Sequence, residues 1–132
     1  MDKIDKIKYI ADQLIYHSNL DIIDSAFSAV YIAHAGEKTY SGHKFIFQFA
    51  KQLKTAIPDI KIVKIEILSQ ADNILTWQRT LSGTHKSKLK GIPASDKKVK
   101  WYEIVVSRFE ENKIVEEWIS SDLALQLMLK HK

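Results

Sequence analysis

The chain of 132 residues contains no cysteine, two prolines and four glycines. Without cysteine it can form no disulfide framework, thiolate zinc site or thiol nucleophile, and a reducing, cytoplasmic compartment is expected. So little proline and glycine argues against a disordered or collagen-like polymer. Long hydrophobic runs are missing too: charges interrupt each one before the roughly 18 residues that a membrane span needs. The opening MDKIDKIKYIADQL has acidic residues and no continuous apolar core, so it does not read as a secretory signal. Arginine is nearly absent, with Arg79 and Arg108 alone. Planar, bidentate phosphate recognition favours arginine, and nucleic-acid binders cluster their charge on one face. Here the net charge of +4 is carried by scattered lysines. One cluster stands out, Lys86, Lys88, Lys90, Lys97, Lys98 and Lys100, relieved by Asp96. It reads first as a solvated loop, and nucleic acid is kept only as a minor reading.

What is present is an ordinary composition, 45% hydrophobic and 27% charged, enough for one core and one domain over residues 1–132. Ile4, Ile7, Ala11, Leu14 and Ile15 recur at spacings of three and four, predicting an amphipathic helix over 2–17. Ser18, with Asp21 three residues on, predicts the cap of a short helix over 20–27. The segment 29–35 and Thr39–Tyr40, joined by a turn at Gly36, predict a small hairpin. A third helix opens at Ser41–Gly42, carries Phe45, Phe49, Leu53 and Ile57 on one stripe, and ends at Pro58.

Beyond Pro58 the period falls to two. Ile60 and Ile62 share one face and Ile65 and Ile67 the other, so a β-bulge is expected near Val63–Lys64. Strands follow over 74–85, 99–109 and 114–121, with turns at Asp72–Asn73 and Glu111–Asn112 and an amphipathic segment over 122–129. Helices first and successive strands afterwards give an α+β protein with a curved antiparallel sheet wrapped on a long helix. The strand over 99–109 is apolar on both faces, so a second copy is expected to cover the sheet as a homodimer.

Several segments resemble motifs of the SnoaL-like polyketide cyclases and the related ester cyclase proteins. Ala56-Ile57-Pro58-Asp59 resembles "AFPD", Ser82-Gly83-Thr84-His85 resembles "TGTH", and Gly91–Ser95 resembles "GIPPTG". Residues 108–118, RFEENKIVEEW, resemble "RFEDGKIVEEW". The order is the family's, over roughly residues 30–130. The resemblance implies the cone-shaped fold of nuclear transport factor two. It also implies an intramolecular aldol condensation without metal or nucleotide cofactor, in which a carboxylate removes a proton beside a carbonyl. The same cone hosts dehydratases, isomerases, hydrolases and proteins that bind without reacting, so activity has to be argued from the site.

Asp122 falls on the family's acid–base position, although an Asp between strand and helix also serves as an N-cap. His34 falls on the His that precedes the long helix and is the expected proton partner, with a hydrogen-bonded structural imidazole as the alternative. Gln78 stands where the family has a strand arginine, with an arginine, Arg79, displaced to the next position. The Gln78 row of Thr76, Thr80 and Ser82 lines the cavity or covers the outer face, and the match favours the cavity. His85, Trp101 and Trp118 are the remaining candidates for the pocket wall, both tryptophans being equally suited to plain core. His17, His43 and His131 read as solvated. No metal-ligand spacing, G-x-S-x-G elbow or phosphate loop appears. The expected ligand is a small hydrophobic carbonyl compound. Two further readings remain: a binding or protein-interaction module without chemistry, and nucleic-acid contact through the lysine cluster.

Overall fold

The computed structural model describes residues 1–131. Helix α1 (Lys3–Ala11) begins at Asp2, whose carboxylate accepts from the Asp5 amide at 2.8 Å and so satisfies one of the first turn's free donors. The helix expected over 2–17 does not continue as α: residues Asp12–Tyr16 widen into a π-helical turn that buries Leu14 and Ile15. After a 3-10 turn at Leu20–Ile22 comes the short helix α2 (Ile23–Ala26). The cap there is Asn19, which accepts from the Asp21 amide, and not Ser18; Ser18 takes a left-handed φ of 52° that redirects the chain.

Strands β1 (Phe27–Ala35) and β2 (Lys38–Ser41) make the small hairpin. Helix α3 (His43–Ala56) buries Ile46, Ala50 and Leu53, and stops just before Pro58. His43 is not solvated as expected, because its Nε2 reaches the carbonyls of Phe27 and Ser28 at 3.0 and 2.9 Å. Then come β3 (Lys61–Ala71), β4 (Ile74–Thr84), β5 (Lys98–Glu110), β6 (Lys113–Ser121) and α4 (Leu123–His131). The bulge on β3 lies between Ile62 and Lys64, and a second follows between Ile67 and Ser69. Glu111 and Asn112 have φ of 48° and 70°, the left-handed pair that suits a tight hairpin between right-twisted strands.

These strands form one curved, six-stranded sheet in the order β2-β1-β6-β5-β4-β3, and the helices cover one of its faces. The class is α+β, with one correction: β1 and β6 run parallel, while every other neighbouring pair is antiparallel. No short turn joins these two strands, so nothing local imposes an antiparallel sense on them.

Two apolar clusters fill the space between helices and sheet. One packs α1 and β1 against Leu75, Trp77, Val105 and Phe109. The other packs Leu53 and Ile57 against Leu81, Trp101, Leu123 and Leu127. A clasp closes the second cluster. Asp59 accepts from both the amide and the hydroxyl of Thr84, at 2.7 and 2.8 Å. Those bonds hold its carboxyl below the usual carboxylate range. Gly83, beside it, sits so close to Ile57 that a Cβ there would lie 2.2 Å from a methyl group. No helix among the described residues is long and apolar enough to cross a membrane.

Candidate active site

Along the inner face of β4 the side chains run Leu75, Trp77, Arg79, Leu81, so a guanidinium stands where the pattern calls for carbon. Its partner across the strands is Glu103 of β5. Arg79 Nε donates to Glu103 Oε1 at 2.7 Å, and the two side chains are 8% and 5% exposed. Removing such charges from water is expensive unless the remaining lone pairs are also used. Here Ser121 Oγ donates to Glu103 Oε2 at 2.7 Å. The guanidinium lies 5.2 Å from the Trp77 ring centre and 5.9 Å from that of Phe49, within cation–π range. Its two terminal nitrogens have no acceptor among the described residues.

A second carboxyl lies deeper. Glu117 of β6 accepts from Tyr31 Oη at 2.8 Å and from Ser107 Oγ at 2.5 Å, while Trp77 Nε1 donates to the same Ser107 oxygen at 3.0 Å. Burial pushes the Glu117 carboxyl up, and it outweighs the downward pull of both hydrogen bonds and of the nearby Arg79 charge. The Tyr31 phenol is also raised, by burial first and then by Glu117. Two carboxyls a few residues apart in the fold thus have different environments, one facing a cation and one held among neutral donors.

Two spaces meet at these groups. A small chamber of about 40 Å³ lies under Ile10, Leu14 and Ile46 and has Trp77, Arg79 and Glu117 in its wall. A cleft of about 480 Å³ opens beside it, with Tyr40, Phe45, Phe49 and Ile119 as apolar walls and Glu103 and Ser121 among its polar residues. Gln48, Gln52 and Lys90 supply the rest of its polar lining. Phe45, Phe49 and Ile119 border both spaces. The cleft falls in the range of about 300–1,000 Å³ typical of small-molecule sites.

The residues expected to form the site are dispersed. His34, Trp118 and Gln78 occupy the outer face: His34 is opposite Trp118 across β1 and β6, and Gln78 is opposite Ile104. Gln78 therefore does not line the cavity, because in a strand of period two its neighbour Arg79 takes the inward position. His34 bonds Glu116 at 2.6 Å and stacks on Trp118 with ring centres 5.1 Å apart. His34, followed by Arg108, holds the Glu116 carboxyl below its usual range. Asp122 is a junction residue: Oδ1 accepts from the Tyr102 amide at 2.8 Å and Oδ2 from Gln126 Nε2 at 3.2 Å. Neither Asp122 nor His34 borders the chamber or the cleft, so the structure does not bring the expected pair together. Trp101 is fully buried in the second apolar cluster, and His85, also fully buried, stands away from both spaces. No group of three or more His, Asp or Glu side chains among the described residues is placed to hold a metal.

Of the groups that do gather here, Glu103, Glu117, Tyr31 and Ser107 are not among the residues expected to form the site, and Arg79 stands one position past the expected Gln78. One signal was available. Arg79 is in phase with Leu75, Trp77 and Leu81, and Glu103 lies two residues from both Trp101 and Val105, so each charge interrupts an apolar row. A charge in such a row has to be paired or functional.

The family model for SnoaL-like polyketide cyclases matches residues 7–128. Among solved structures, the chain resembles a SnoaL-like polyketide cyclase from Agrobacterium tumefaciens, with 21% identity, a TM-score of 0.78 and coverage of 98% of this chain and 99% of that one. A candidate SnoaL-like polyketide cyclase from Jannaschia sp. CCS1 gives 14% identity and a TM-score of 0.85, over 97% of this chain and 90% of that one. AclR, a candidate hydroxylase from Streptomyces galilaeus, gives 19% identity and a TM-score of 0.69, over 86% of each chain. At these identities the likeness establishes the fold. No curated protein matches by sequence.

Proposed function

The chain belongs to the SnoaL-like polyketide cyclase family, and from that premise we propose a cofactor-independent enzyme that performs acid–base chemistry on a small hydrophobic carbonyl compound. The substrate lies in the cleft against Phe45 and Phe49, with its carbonyl directed at Arg79. One observation carries the reading: Glu103, in the wall of a ligand-sized cleft, is paired with the buried Arg79 guanidinium, which lines the chamber that adjoins it and whose terminal nitrogens meet no acceptor among the described residues. Glu103 takes a proton from the carbon beside the carbonyl, and Arg79 stabilises the enolate oxygen as charge develops on it. In a cyclisation the enolate carbon then attacks a second carbonyl of the same molecule, and the resulting alkoxide recovers the proton from Glu103. Glu117, whose carboxyl burial pushes up, supports the chamber wall by accepting from Tyr31 and Ser107.

A second reading, binding without reaction, is favoured by one feature: both oxygens of Glu103 already accept hydrogen bonds. Incubation with aromatic 1,3-dicarbonyl chains, followed by mass spectrometry, separates the two. Turnover that falls at least about a hundredfold in Glu103→Gln, with the ligand still bound, supports the enzyme. Ligand recovered unchanged from the wild type supports the binding module, and a full rate in Glu103→Gln removes Glu103 as the base. The homodimer belongs to the same reading: Tyr102, Ile104 and Trp118, exposed on the outer face, form the surface a second copy covers. Sedimentation of the wild type against Ile104→Lys tests it, with a shift to monomer expected in the variant.

A further inference from the structure

Lys90 is the lone cation among the residues lining the cleft. Other lysines serve as clasps: Lys6, Lys54 and Lys113 donate to main-chain carbonyls of Asn112, Tyr16 and Asp24, and Lys86 pairs with Asp96. Lys90 has no acidic or carbonyl partner among the described residues. Glu103 shares the cleft with it, but that carboxylate is already engaged by Arg79 and Ser121. The Lys90 ammonium is therefore an exposed cation at the edge of the cleft that no group among the described residues engages.

The backbone presents it deliberately. Leu89 and Ile92 exchange both main-chain hydrogen bonds, at 3.0 and 2.8 Å, with Lys90 and Gly91 at φ of 52° and 75° between them. A non-glycine residue in that region is held there against its own preference. Leu89 and Ile92 anchor the turn in the second apolar cluster, so Lys90 sits at the tip of a fixed two-residue turn and not on a loose loop.

We propose that the substrate is an anionic carbonyl compound, whose carboxylate is held by Lys90 while its apolar body lies on Phe45 and Phe49 and its carbonyl reaches Arg79. This rests on the cleft being the substrate site. It makes Lys90 a specificity-determining residue that selects for charge on the ligand.

A matched pair of probes tests it: 6-acetyl-2-naphthoate and its methyl ester, followed by quenching of tryptophan fluorescence. The carboxylate is expected to bind about fivefold to tenfold more tightly than the ester, as a charge-assisted contact would give. That preference should vanish in Lys90→Gln, survive in Lys90→Arg, and shrink at high salt. Equal affinities for the two probes, or a preference unchanged in Lys90→Gln, would overturn the role of Lys90 while leaving the cleft as the site. If neither probe binds, or if Phe49→Ala leaves the ester's affinity untouched, the cleft itself is not the site and both readings fall.

Discussion

Removing the Arg79 guanidinium is the most demanding test of the buried pair. Arg79→Met keeps an unbranched side chain between Trp77 and Phe49 but strands the Glu103 carboxylate, 5% exposed, with Ser121 as its remaining partner. Loss of one member of a buried pair costs about 3–5 kcal/mol, because a charge is then left in a low-dielectric site. The retained packing places the expected cost at the lower end, roughly 3 kcal/mol. Glu103→Leu, which strands the guanidinium, should cost about the same. The double variant buries two apolar side chains and should lie within about 1 kcal/mol of the wild type. Urea denaturation gives all three values. With a slope of about 1.5 kcal/mol per molar, each single variant loses about 2 M in midpoint. By thermal melting the same loss is about 10 °C. Two results would refute the reasoning. Single variants costing under about 1 kcal/mol would show that the pair behaves as though solvated. A double variant as unstable as the sum of the singles would show that the two charges do not compensate each other.

Two other perturbations follow from distances and titration. Gly83→Ala places a methyl 2.2 Å from Ile57 Cγ2, 3.1 Å from Asp59 Oδ1 and 3.2 Å from Ile60 Cα. Net of the small gain from stiffening the unfolded chain, it should cost about 2–3 kcal/mol by urea titration, and an unchanged midpoint would show that the approach relaxes freely. Glu117→Gln removes a carboxyl that burial pushes up in the folded state. As pH rises above the ordinary carboxylate range the unfolded chain releases this proton while the folded chain keeps it, so the wild type loses stability. The melting temperature of the variant relative to the wild type should therefore climb as pH rises above about 4.5, and a pH-independent difference would contradict that assignment.

The order of elements could be read from periodicity because each long segment is loyal to one period. The stripe Ile7, Ala11, Leu14 and the alternation Leu75, Trp77, Leu81 each point one way only, and the bulge near Val63–Lys64 showed as a slip in parity. The parallel contact of β1 with β6 could not be read, since it joins Phe27–Ala35 to a strand more than 80 residues away with no turn to announce it. The site failed for a related reason. His34, Gln78 and Asp122 are polar residues in strand or junction positions, and polarity alone does not say which face of a sheet a residue occupies. Registers do: Ala33 opposite Glu117 turns His34 outward, and Arg79 opposite Glu103 turns Gln78 outward. Asp122 kept its other expected role, holding the Tyr102 amide and Gln126 at the β6–α4 junction.

That parallel seam also sets a timetable for biosynthesis. Tyr31 and Glu117 are 86 residues apart in the chain, so at about 5–20 residues per second the ribosome makes the second on the order of 4–17 s after the first. Throughout that interval β1 has its hairpin partner but not the strand that will flank its other edge, and Phe27 and Tyr31 have no floor to rest on. A nascent chain of this protein therefore carries one unpaired edge of β1 until β6 has been translated.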